Sequence, residues 1–287
     1  MSEMERSMTL WERGIRRGEA MRAFYESEIE SLEGKRVLDL GCGTGGISIA
    51  YAQRAAFLAS YDLRRARISL VKERMRERNI GNVGLAVANG LSIPFKDRTF
   101  DLVIMNGVLE WLGLKGNGSS PKRLQEQGLR ECVRVLKERG TLYLAVENRW
   151  YPKYALRDPH AGIPAVDFLP RPLASILSRA FGKGAYRNYI YSHRALDTML
   201  RQAGFGRTEF YVPLFHYQFP LAILGMADKK GMLEALTAVD RNRCHDRYHM
   251  EAMGKTGKAR VIYYRVISSL GLLKSLASSF VVICTKM

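Results

Sequence analysis

KRVLDLGCGTGGISIA, residues 35–50, is the stretch whose reading decides the fold. An apolar run, Val37 to Leu40, meets a glycine cluster at Gly41, Gly43, Gly45 and Gly46, and an apolar-patterned helix follows at once. A strand, a tight glycine turn and a helix are how an open α/β sheet offers backbone N–H groups and a helix N-terminus to a ligand. Glycine is required because the chain turns sharply and nothing is allowed to project into the bound molecule. Asp39, two residues before the first glycine, puts a carboxylate in the crevice. Gly41, Gly43 and Gly46 also satisfy G-x-G-x-x-G, so a nicotinamide or flavin nucleotide is the competing ligand.

The longer string D-x-G-x-G-x-G resembles the first motif of class I S-adenosylmethionine (SAM)-dependent methyltransferases. The resemblance implies SAM as cofactor, S-adenosylhomocysteine as product, and a Rossmann-like seven-stranded sheet, mostly parallel with an antiparallel last strand and helices on both faces. It places Asp39 toward the methionine end and passes Gly41, Cys42, Gly43 and Gly45 beneath sugar and methionine. A second strand, Phe57 to Leu63, ends in Asp62, about twenty residues past the first glycine, where such folds set a carboxylate against the ribose hydroxyls. Asp62 and Leu63 are therefore cofactor residues, with a helix cap as the plainer role for Asp62.

ANGLSIPF, residues 88–95, follows a third strand at Val83 to Ala88 and resembles the family's adenine-contacting G-D-A-x-x-L-P-F segment, with Asn89 where the aspartate usually stands. Asn89, Gly90 and Leu91 are assigned to the adenine. FDLVIMNGVLEWL, residues 100–112, resembles the fourth strand and following segment of small-molecule methyltransferases; Asn106 and Gly107 complete the cofactor set, and Glu110 and Trp111 fall at the pocket mouth. The N/D-P-P-Y/F tetrad of enzymes that methylate exocyclic base amines is missing. ECVRVLKERGTLYLAV resembles the family's helix, turn and fifth strand.

Beyond Glu147 the chain is irregular to about Pro172, and a long loop in a compact domain is usually functional. Its string ENRWYPKYALRDPHAGIP, with the later TEFYVPLFHYQFP, resembles methyltransferases associated with surface-glycan and glycosyltransferase gene clusters. A capped helix from Ser192 to Ala203, a sixth strand from Arg207 to Val212 and a seventh from Ser279 to Lys286 complete the sheet. The domain reading is an N-terminal helical cap over 1–34, a methyltransferase domain over 35–212 and 278–287, and a basic insertion or substrate cap over 213–277. The insertion carries Arg241, Arg243, Arg247, Lys255, Lys258 and Arg260.

Charge is lopsided. The 287 residues carry +17, of which +6 falls on residues 1–146 and +11 on 147–287. Such an excess suits an anionic partner: a phosphorylated or lipid-linked acceptor, an anionic membrane surface, or nucleic acid. Oligomeric state is not legible. Cys42, Cys132, Cys244 and Cys284 are dispersed and form no C-x-x-C, so neither a zinc site nor a disulfide framework is expected. The N-terminus lacks an apolar signal core, so the cytoplasm is expected, with peripheral attachment at the inner membrane face as an extension.

Methyl transfer from a sulfonium is an in-line displacement, so the protein aligns the reactants and supplies a favourable electrostatic setting. A hydroxyl acceptor also needs a base. His160, in the proline-rich loop, and Glu147 are the catalytic candidates, with His193 a third base in reach. No metal is expected, although Cys244, His245 and His249 cluster in the insertion. The leading function is transfer to a hydroxyl of a glycan, lipid-linked sugar or other small metabolite. RNA or protein methylation by the basic C-terminal half and SAM binding without turnover are the alternatives.

Overall fold

The computed structural model describes residues 3–114, 119–241 and 257–287. Strands β1 (Arg36–Leu40), β2 (Phe57–Asp62), β3 (Val83–Val87), β4 (Phe100–Asn106) and β5 (Leu136–Glu147) run parallel. Beyond β5 lie β6 (Phe205–Leu214), β7 (Ala222–Gly225) and β8 (Ser279–Lys286), in the order β3-β2-β1-β4-β5-β8-β6-β7. β8 is antiparallel to both β5 and β6, as expected for the closing strand. The expected seven-stranded sheet is corrected to eight, because β7 folds back antiparallel on β6 and extends the edge.

Period-two alternation sorts the strand side chains onto two helical layers. Val37, Leu102 and Ile104 point to one face, covered by α1 (Glu3–Glu28), α2 (Gly46–Ala52) and α3 (Arg65–Glu77). Leu38, Leu40, Val103 and Met105 point to the other, covered by α5 (Pro121–Val135), α7 (His193–Ala203), α8 (Lys229–Arg241) and α9 (Gly257–Ser269), with the single turns α4 (Leu109–Leu112) and α10 (Leu273–Leu276) at its ends. Burial on both faces explains why the parallel strands read as continuous apolar runs. Local signals set the helix ends: Ser120 accepts from the Arg123 N–H with Pro121 as first helical residue, and Ser192 caps α7 while Gly204 stops it at φ 114°.

The N-terminal helix starts earlier and stops earlier than Thr9–Leu32, the span its apolar spacing suggests. It crosses α2 at van der Waals distance because glycines face each other: a Cβ on Gly46 would come within 2.3 Å of the Gly14 carbonyl carbon. Trp11 anchors the crossing, with the Arg74 guanidinium 3.9 Å from its ring and that guanidinium donating to the Thr44 carbonyl at 2.8 Å. The helix is thereby fastened to the glycine turn itself. Between β5 and α7 a small third core of Ile163, Val166, Ala174 and Tyr186 holds a lobe that includes α6 (Arg171–Ala180). Arg243, Cys244, His245, Arg247, His249 and Lys255 lie outside the described residues, as does the side chain of Arg241. Among the described residues no helix is long and apolar enough to cross a membrane.

Candidate active site

The glycine turn forms as the sequence implies. Gly41, Gly43 and Gly45 all take left-handed φ values, 77°, 56° and 84°. At Gly41 two demands coincide, since a Cβ there would also lie 2.7 Å from the Val108 side chain. Asp62 is buried beside the turn: it accepts from the Gly43 N–H at 3.1 Å, from the Arg64 N–H at 2.9 Å and from Arg67 at 3.1 Å. Asp39 accepts from the Ser48 hydroxyl at 2.5 Å. Burial pushes its pKa up to about 6, against the pull of that hydrogen bond and of the Arg17 charge. Cys42 is buried in the turn, and burial raises its thiol pKa.

The other expected cofactor residues line up at the strand ends. The Asn89 side-chain oxygen, expected to face an adenine, also accepts from the Leu91 N–H at 3.0 Å. Leu63 is half exposed, while Gly90 is buried against Leu112 and Leu40. Asn106 keeps a buried side-chain oxygen with no hydrogen-bond partner among the described residues, and an orphaned acceptor of this kind at the end of β4 fits a ligand that brings a donor. The residues present suit a sulfonium nucleoside: bare main chain in the turn, two buried carboxylates beside it and one unspent amide oxygen.

Across Gly107 a second compartment opens. A Cβ on Gly107 would fall 2.6 Å from the Tyr217 hydroxyl, which donates to Glu147 at 2.9 Å. A cavity of about 560 Å³ lies here, lined by Glu110, Trp111, Glu147, Tyr154, His160 and Tyr217 among others, with Lys153, Arg157 and Arg260 also on its wall. His160 Nε2 lies 3.8 Å from a Glu110 oxygen and 3.9 Å from a Glu147 oxygen, and all three side chains are at most 4 % exposed. Among the described residues, both Glu110 oxygens, the second Glu147 oxygen and His160 Nδ1 have no hydrogen-bond partner. Burial, reinforced by the Glu110 charge, lifts Glu147 to about 7 despite His160 and the Tyr217 hydrogen bond. Burial pulls the His160 pKa down, but the facing Glu110 and Glu147 carboxylates, with Asp158, outweigh it and the net shift is upward. Carboxylates whose lone pairs are unspent in a dry cleft are positioned to take a proton.

The loop after β5 holds His160 in place. The Asp158 carboxylate, buried, accepts from the N–H groups of His160, Ala161 and Ile163 at 2.8–2.9 Å. Asn148 donates to the Ser275 and Ala277 carbonyls, and Arg149 to those of Asp167 and Leu169. The Trp111 ring meets the imidazole edge-on at 5.3 Å. His193, the third expected base, instead stacks at 4.1 Å on Phe210 and beside Phe280, under the sheet rather than in the cavity. His216 does line the cavity, but burial and the Arg260 and Lys153 charges lower it to about 3, so it stays neutral. The donor atoms of Glu110, Glu147 and His160 lie within 4.8 Å of one another, a spacing from which a cation as well as a proton can be held.

Sequence reasoning missed Tyr217, which sits in the quoted string FYVPLFHYQFP without any local signal for its partner 70 residues away. It placed Glu110 at the mouth but did not pair it with His160.

Residues 38–144 match the family model described as a methyltransferase domain. The ubiquinone/menaquinone biosynthesis C-methyltransferase of Xylella fastidiosa is 28 % identical over 210 residues, 68 % of this chain and 74 % of that protein. Among solved structures, the [4+2]-cyclase SpnF superposes with a TM-score of 0.52 at 18 % identity, over 94 % of this chain and 82 % of that one. A Haemonchus contortus phosphoethanolamine N-methyltransferase, solved with phosphomonomethylethanolamine and S-adenosylhomocysteine, gives 0.51 at 14 % identity over 92 % of this chain and 51 % of its own. The two structural likenesses speak to fold, the domain match and the C-methyltransferase relative to chemistry. Together the domain match and the relatives support a SAM-dependent methyltransferase, on a fold of the Rossmann-like class I type.

Proposed function

We propose that the enzyme methylates a small acceptor held in the cavity between α4, the loop after β5 and the segment following β6, through a hydroxyl that loses its proton to the Glu147–His160 pair. The observation that carries this reading is the buried, under-bonded cluster of Glu110, Glu147 and His160 on the far side of Gly107 from the glycine turn. The cofactor supplies an activated methyl on a positive sulfur. Asp39, Asp62 and the Gly41–Gly45 main chain hold its nucleoside and methionine ends. Glu147, oriented by Tyr217, accepts the acceptor proton and shares it with His160, while Glu110 offsets the resulting imidazolium charge. With SAM bound, the deprotonated acceptor oxygen would take the methyl carbon, the carbon–sulfur electron pair returning to sulfur. Lys153, Arg157 and Arg260 on the cavity wall suit an acceptor bearing phosphate or another anion, such as a phosphorylated or lipid-linked sugar.

A second reading keeps the same base. The similar Xylella protein is named a C-methyltransferase, and removing a phenol or enol proton activates the neighbouring carbon as well as the oxygen. Incubation with SAM and paired acceptors, a phosphorylated polyol and a quinol, separates the two. S-adenosylhomocysteine release with an O-methyl product supports the hydroxyl reading; a C-methyl product moves the assignment to carbon. No release with either class and no SAM binding by calorimetry rejects both.

A further inference from the structure

Helix α6 is apolar on both sides. Its body-facing side carries Ala174 and Ser178, both essentially buried, with Leu177 packed against the third core, while Leu173, Ile176 and the adjoining Phe181 are 50 %, 60 % and 54 % exposed. Leu173, Ile176 and Ala180 follow i, i+3, i+7 spacing and form one stripe on the solvent side. A water-facing helix normally keeps its outer side polar, so this stripe costs hydration until something apolar covers it.

Charge around the helix says what that cover is. Between Asp167 and Asp197 the chain carries Arg171, Arg179, Lys183, Arg187 and Arg194 and not one acidic residue. Arg171 and Arg187 are committed to the Ile190 and to the Gly113 and Ser119 carbonyls. Arg179 and Lys183 are exposed and flank the apolar stripe. Large apolar side chains on one face with cations beside them are the makings of an interfacial helix, which sinks its apolar side to the acyl boundary and leaves its cations among anionic headgroups.

We propose that α6 docks the enzyme onto an anionic lipid bilayer, with Leu173, Ile176 and Phe181 entering the interface and Arg179 and Lys183 meeting lipid phosphates. The proposal stands on the surface of the lobe and holds whichever acceptor the cavity takes. Full-length protein is sedimented with vesicles of equal parts phosphatidylcholine and phosphatidylglycerol, and with phosphatidylcholine alone. Binding is expected to be ~10-fold or more stronger on the anionic vesicles and to weaken with salt. The double variant Ile176→Asp/Phe181→Asp should lose ~10-fold or more of that binding. Both residues are exposed, so its circular-dichroism melt and its SAM affinity should match wild type. Arg179→Glu/Lys183→Glu should lose the anionic preference. Wild-type protein that stays in the supernatant overturns the proposal, as does undiminished binding by the apolar-face variant. A concentration-dependent dimer that the Ile176→Asp/Phe181→Asp change dissolves also overturns it, by giving the face to a second copy of the chain.

Discussion

At the glycine turn, Asp62 receives the Gly43 and Arg64 N–H groups and the Arg67 guanidinium, all from within about twenty residues of itself. On the other side of Gly107, neither Glu110 oxygen is bonded among the described residues, and its neighbours come from residues 147, 160 and 217. The first region is mostly main chain and near neighbours, and in the proposed mechanism it holds the cofactor. The second gathers buried polar groups from four separate segments, short of partners among the described residues, and in the proposed mechanism it reacts. Unspent hydrogen-bonding capacity in a dry site is costly to the fold, and that cost is tolerated where a substrate completes the set.

If the division is real, changes on one side should leave the other intact. The largest effect is expected from Glu147→Gln, which should lower kcat by about 10²–10⁴-fold while SAM affinity by calorimetry stays unchanged. A parallel loss of SAM binding would break the comparison. Asp62→Ala should do the converse, weakening SAM by about 1–3 kcal/mol through lost charge-assisted bonds, with kcat at saturating SAM near wild type.

Tyr217→Phe sharpens the picture of the reacting side. Glu147 must be ionised to accept a proton and its pKa lies near 7, so the rate should climb as pH rises through neutrality. The Tyr217 hydroxyl favours the carboxylate, so its removal should move that limb to higher pH by about half a unit to one unit, read from a pH–rate profile.

The same group sets a stability trend. Its ordinary value is 4.5, so between there and about 7 the folded state holds a proton that the unfolded chain has released. Stability due to Glu147 therefore falls as pH rises across that window. Glu147→Gln should melt close to wild type at the acid end and above it near pH 7, by about 2–4 °C for each kcal/mol relieved. The smallest expected effect is none: dialysis against a chelator should leave turnover unchanged if the three-residue cluster handles a proton, and a chelator-sensitive rate would make it a metal centre.

What could be read from sequence follows the same line. The turn at Gly41–Gly46, Asp39 and the acid ending β2 were legible because strand, loop and helix are contiguous and their chemistry is local. Ser279–Lys286 was legible as the closing strand, with bounds identical to those observed. The eighth strand was not: Ala222–Gly225 has four residues, sits between Pro220 and its own terminal glycine, and pairs on one side only, so it carries no period of its own. Asn89 was read by analogy with an aspartate; its bond from the Leu91 N–H, a local Asx-type turn, was not foreseen. The Glu147–Tyr217 contact spans 70 positions, and no window of sequence contains both.

β8 lies between β5 and β6 rather than at an edge. During synthesis the ribosome delivers that strand after both of its neighbours, so β6 and its hairpin partner have nothing to zip against until residues 279–286 have left the exit tunnel. Tyr217, which follows β6 and whose N–H is held by the Ser279 hydroxyl, is brought to Glu147 by the same event. The chamber around Glu147 therefore depends on β8 being in place, whereas the turn at Gly41–Gly46 and its Asp62 contacts use only residues far earlier in the chain.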